Sequence, residues 1–149
     1  MGLEQILLRP EPWPSASATT TRRNILFLNL EGFQVRTVDD VDLVRREMEM
    51  RCRAIGRKVA LVVNYDGFQL DPVVSDAYFS MITYMQSRYY STASRYTTSA
   101  FMRMKLGSGL AERNLKPHVF ETPAEAHAFA GKAAGEVTKS LPQGTPISL

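Results

Sequence analysis

Acidic residues are missing from the whole stretch between Asp76 and Glu112. Arg88, Arg95, Arg103 and Lys105, in the run RYYSTASRYTTSAFMRMK, therefore have no local counter-charge. Such a bias is expected either of an anion-binding surface or of a segment inherited from a larger parent. Cysteine is nearly absent too. Cys52 alone cannot close an internal disulfide, which fits a reducing compartment. No basic, apolar and small-residue leader opens the chain, so a cytoplasmic location is expected. The longest apolar runs, such as Val59 to Val63, are too short to cross a bilayer. Histidine is scarce, and His118 and His127 lack partners at metal-ligand spacing, so neither a metal nor a cofactor is expected. Three glycine signatures are also missing. Without G-x-G-x-x-G after a strand, G-x-x-x-x-G-K-[ST] or G-x-S-x-G, dinucleotide, P-loop and α/β-hydrolase readings have no basis.

What is present suits one globular domain. The 149 residues are 44% hydrophobic and 22% charged, with a net charge of +3. Residues 1–23 read as an extended N-terminal arm, rich in proline and then in small polar residues, in which Trp13 is a packing anchor or a partner contact. Residues 24–131 form the folded domain, and the glycine- and proline-bearing stretch 132–149 reads as a flexible tail.

Within the domain, strand and helix patterns alternate. NILFLNLEGF suits a buried strand running into a turn, and KVALVVNY is an uninterrupted β-branched run expected at the centre of a parallel sheet. Thr37 and Asp40 have capping-box spacing ahead of the stripe Val41, Val44, Met48, Cys52 and Ile55, which Gly56 ends. Cys52 on that stripe is a packed thiol. Asp71-Pro72 opens a second helix through Tyr78, Met81 and Met85. Ser91 to Thr98 reads as a strand, and Ser99 caps a third helix on which Phe101, Met104 and Leu110 are the apolar residues and Gly107 and Gly109 are weak points. A short strand at His118 to Phe120 precedes a capping box in Thr122-Pro123-Ala124-Glu125. The fold class is α/β, with a mostly parallel sheet of four strands, or five with Gln5 to Leu8, covered by helices. Beyond this alternation no internal repeat is evident.

Ligands of open parallel sheets bind beyond the carboxyl ends of the strands, beside helix N-termini. The residues expected at that edge are Glu31, Asn64, Asp66, Thr97, Thr98 and Ser99, with Arg95 and Arg103 flanking them. A phosphate at Ser99 would meet hydroxyl donors, a helix dipole and arginine. The tyrosines interleaved with arginine are weak grounds for nucleic-acid stacking, because no RNA- or DNA-binding motif accompanies them.

The runs NILFLNLEGFQVRTVDDVD, VALVVNYDGFQLDP, RYYSTASRYTTSAFMRMKLG and PHVFETPAEA resemble the C-terminal region of long bacterial acyl-CoA:acetate/3-ketoacid CoA-transferases, over about residues 24 to 130. Met1-Gly2-Leu3 looks like a point inside such a protein, just before its C-terminal module. The alternating pattern is also similar to STAS and SpoIIAA-like domains, which implies a STAS-like sandwich. The resemblance implies a transferase that works through a glutamyl thioester in a Glu-Asn-Gly type motif. Glu31 stands in LEGF instead, so that role is not carried onto it. The antagonist branch of the STAS family has a phosphorylatable serine or threonine where Asp71-Pro72-Val73 stands here, which argues against a phosphorylation switch.

The expectation is therefore a non-catalytic accessory or interaction module, inactive alone as an enzyme. Its expected partners are a CoA-transferase catalytic domain or subunit, CoA or another anionic small molecule, and, for a homodimer, a second copy of the chain. The rivals are a stand-alone acyl-CoA-processing enzyme with Glu31 or Asp66 as base, and a SpoIIAA-like protein that binds a small ligand or lipid.

Overall fold

The computed structural model describes the backbone of residues 4–7, 17–20 and 25–140, and the side chains of 25–132. Its main sheet holds β1 (Glu4–Leu7), β2 (Ser17–Thr20), β3 (Ile25–Asn29), β5 (Val59–Asn64), β7 (Tyr90–Tyr96) and β8 (Val119–Phe120) in that spatial order. Two short strands, β4 (Gln34–Val35) and β6 (Gln69–Leu70), pair with each other. Helices α1 (Val38–Ile55), α2 (Ser75–Tyr89) and α3 (Ala100–Ala111) connect the parallel strands, and α4 (Pro123–Ser140) follows the last.

The α/β class and the parallel run β3-β5-β7-β8 are as the sequence predicts. Each of these strands is laid down on the same side of its predecessor, so right-handed crossovers bring α1, α2 and α3 to one face of the sheet. Residues of all three helices share one core with Leu26, Leu28, Leu61, Val63 and Ala93. Alternate strand residues Ile25, Ala60 and Val62 face the other way, where Ala126 and Ala130 of α4 cover them. Val59 to Val63 is thus buried on both faces, which explains its unbroken apolar run.

The predicted caps form. Thr37 and Asp40 make the reciprocal box of α1, and Gly56 ends that helix at φ 81°. Asp71 caps a 3-10 turn over Pro72–Val74, and α2 begins only after it, at Ser75. Ser99 Oγ accepts from Met102 N at 3.0 Å, and Glu125 Oε1 accepts from the Thr122 amide at 3.2 Å.

Several expectations change. The strand foreseen over Gln5 to Leu8 exists as β1, but it joins the sheet through β2, and both pairings are antiparallel. These strands lie within the span read as an arm, while the rest of that span, including Trp13, is outside the described residues. Helix α4 continues past Lys132 to Ser140, because the helix-forming Lys132-Ala133-Ala134 outweighs Gly131 and Gly135. Residues 141–149 of the expected tail are outside the described residues. The buried face of α3 is Met102, Leu106, Gly109 and Leu110, whereas Phe101 and Met104 are exposed. A Cβ on Gly109 would stand 2.3 Å from Phe79 Cζ, so that glycine lets α3 approach α2.

An internal repeat is also present. NLEGFQV and NYDGFQL follow β3 and β5 and adopt the same turn. Asn29 Oδ1 accepts from Glu31 N at 3.0 Å, and Asn64 Oδ1 accepts from Asp66 N at 2.9 Å. Gly32 and Gly67 take φ 71° and 69°, where a side chain would be strained. The two turns stack: Gly32 N donates to Asp66 O, and Gln69 N donates to Phe33 O. Phe33, Val35, Phe68 and Leu70 all turn into the core.

Candidate functional site

The stacked turns place most of the expected residues at the carboxyl edge of the sheet. Asp66 Oδ1 accepts from Thr98 N at 2.6 Å and from Thr98 Oγ1 at 3.1 Å, bracing the β7–α3 loop against the turn after β5. Asn64 Nδ2 donates to Glu31 Oε1 at 3.3 Å, which links the two turns. Thr97 is fully buried, and its hydroxyl accepts from Ser99 N at 3.1 Å. Arg103 Nη1 donates to Thr97 O at 2.8 Å, while its other terminal nitrogen lies 4.0 Å from the exposed Glu121 carboxylate. Glu31, Asn64, Asp66, Thr97, Thr98, Ser99 and Arg103 therefore gather at one edge, with most of their polar groups engaged by one another.

Arg95 is not among them. Its β7 position pairs with Val63 and shares a sheet face with Ala93, so its side chain enters the three-helix core and is 2% exposed. The alternation of β7 beside the doubly buried β5 could have revealed this placement. Other basic residues disperse as well. Arg88 stacks over the Tyr84 ring at 4.7 Å, Lys105 Nζ donates to Leu70 O at 3.1 Å, and Arg113 pairs with Asp76 while lying over the Phe79 ring. The acid-free segment is thus no single cationic face.

Two features were not foreseen. Glu49, nearly buried on α1, accepts from the hydroxyls of Tyr84 and Tyr89 and pairs with Arg45 at 2.7 Å and Arg53 at 3.4 Å. Burial pushes its carboxyl up, but the two phenol hydrogen bonds and the arginine charges outweigh that and hold it below the usual carboxylate value. The second feature is a groove of about 530 Å³ between the start of α2 and α3, lined by Pro72, Phe79, Phe101, Met104, Lys105 and Arg113. Phe101 and Met104 are 64% and 60% exposed there.

Burial, with a smaller push from the Glu49 charge, raises the Cys52 thiol to about 12, so it stays protonated and unreactive near neutrality. His118 is lowered by burial and then by the charges of Arg95 and Lys116, and His127 is lowered by burial alone. Among the described residues no cluster of histidine, cysteine and acids could hold a metal, and no helix is long and apolar enough to cross a membrane.

Comparison of the chain with protein-family models, with curated proteins and with solved structures finds no match in any of the three.

Proposed function

We propose that this chain is a non-catalytic accessory module of an acyl-CoA:acetate/3-ketoacid CoA-transferase system, and that it acts by docking on the catalytic subunit through the α2–α3 groove. The observation that carries the reading is the pair Phe101 and Met104, large apolar side chains left in solvent on the rim of a groove flanked by Lys105 and Arg113. Aromatic, methionine and arginine side chains are the types enriched in protein interfaces. The carboxyl edge supports a small-molecule role less well, because its carboxylates brace neighbouring loops. The transferase identity of the partner rests on the sequence blocks that carry the resemblance.

The test is sedimentation velocity on mixtures with a transferase catalytic chain that lacks its own C-terminal module. Wild type should associate, and Phe101→Glu with Met104→Glu should weaken association at least tenfold, about 1.4 kcal/mol. Arg103→Ala should leave it unchanged. Absence of association by wild type would overturn the proposal, and CoA binding that Arg103→Ala abolishes would move the function to the sheet edge.

A further inference from the structure

Arg95 places a guanidinium in the three-helix core, where the residue is 2% exposed. Its guanidinium donates from Nη1 to Pro117 O at 3.0 Å and stands beside the Tyr65 phenol, while Nε has no partner. Both neighbours are neutral. An isolated cation taken out of water costs several kcal/mol unless an opposite charge joins it.

Arg95 also lines a cavity of about 30 Å³ between the sheet and helices α1 and α2. Apolar groups such as Met48, Val63, Ile82 and Met85 form much of the wall, with Tyr65, Tyr78 and Tyr90 as the other polar residues. No carboxylate among the described residues lines it. The space exceeds the roughly 10–15 Å³ that one water needs. A water could satisfy Nε, but it would leave the charge uncompensated.

Local backbone geometry builds this arrangement. Ala93 and Arg95 lie two apart and share a face, but Tyr90 is an odd number of residues from Arg95 and should point away. An irregularity in the β5–β7 register, where Val59 pairs with Tyr90 but Ala60 pairs with Thr92, restores Tyr90 to the same side. Its phenol then meets Cys52, while Tyr65 and Tyr78 join hydroxyl to hydroxyl at 2.6 Å. Burial raises all three phenols, so they remain neutral donors near neutrality and supply no negative charge.

We propose that the cavity beside Arg95 is an internal binding site for a compact monovalent anion, the size of chloride or formate, whose charge balances the guanidinium. The site is separate from the α2–α3 groove and does not depend on how the chain docks. A divalent sulfate or phosphate would overcompensate the single guanidinium charge in an otherwise apolar wall.

The full chain should be unfolded by urea in sodium gluconate, with chloride or formate substituted at constant ionic strength. Stability should rise with anion concentration, the folding equilibrium constant growing tenfold for each tenfold increase beyond saturation. Sulfate at the same ionic strength should not reproduce that dependence. Arg95→Met should remove the response. If that variant does not fold, bromide in crystals of the wild-type chain gives an independent reading, since an anomalous peak is expected beside the guanidinium. Chloride and formate responses no larger than that to sulfate, or a cavity that holds only water in bromide, would overturn the proposal.

Discussion

Glu49 shows how one buried carboxylate can organise two helices. It collects phenol hydrogen bonds from α2 and arginine charges from α1, and hydrogen bonds to charged groups are worth about 1.5–3 kcal/mol each in total effect. Glu49→Gln should therefore lower unfolding free energy by about 2 kcal/mol at pH 7, measured by urea denaturation. Its folded carboxyl is depressed, so the charge-linked contribution is present above the ordinary value of 4.5 and is lost as pH falls from there through the lower folded value. The wild-type and variant midpoints should converge in that acid range. His118 and His127 are also depressed from 6.5 and cost both proteins stability as pH drops, so the difference between them isolates Glu49. Little of this was legible in the sequence, because Tyr84 and Tyr89 lie 35 and 40 residues away and only packing of α1 on α2 unites them with Glu49. Cys52 was legible, since its place on the apolar stripe of α1 fixed its burial.

Helix ends were easier to read than helix faces. Thr37, Ser99 and Thr122 carry their capping partners within three residues, so local sequence suffices. The face of α3 is set by distant elements, and its mixture of apolar residues and glycines leaves the direction ambiguous until α2 and the sheet are in place. Gly109 marks the resolved direction. Helix propensity alone would make Gly109→Ala stabilising by up to about 1 kcal/mol. Overlap with the buried Phe79 ring reverses that sign, and a net loss of about 1–3 kcal/mol is expected in urea denaturation. Gly107, with open space where its Cβ would go, is the matched control: Gly107→Ala should raise stability.

For the whole molecule, the parallel sheet of four strands and the central place of β5 followed from the alternation of strands with helices, whereas the antiparallel entry through β1 and β2 did not. Residues 8–16 separate those strands with a proline-rich stretch, which reads as an arm rather than as a hairpin connection. The carboxyl-edge residues were foreseen because topology alone sends strand ends to one rim. Arg95 lies only four residues before Ser99 in the chain, yet strand alternation turns its side chain into the core instead of toward that rim. The central position of β5, between two parallel neighbours and under helices on both faces, leads to a measurable ranking. Amides of Leu61 to Val63 should be among the slowest to exchange in deuterium, and those of the two-residue β8 among the fastest in the sheet. Equal protection in β5 and β8 would contradict this layering.

The repeated turns have a dynamic consequence. Leu30 N, Gly32 N, Gln69 N and Asp71 N each donate from one turn segment to the backbone of the other, so neither can lift from the sheet without breaking the ladder that holds both. The two sequence-distant halves are therefore expected to open together rather than one at a time. A continuous chain of hydrogen bonds runs from Glu31 through Asn64 to Asp66 and, through Thr98, to the start of α3.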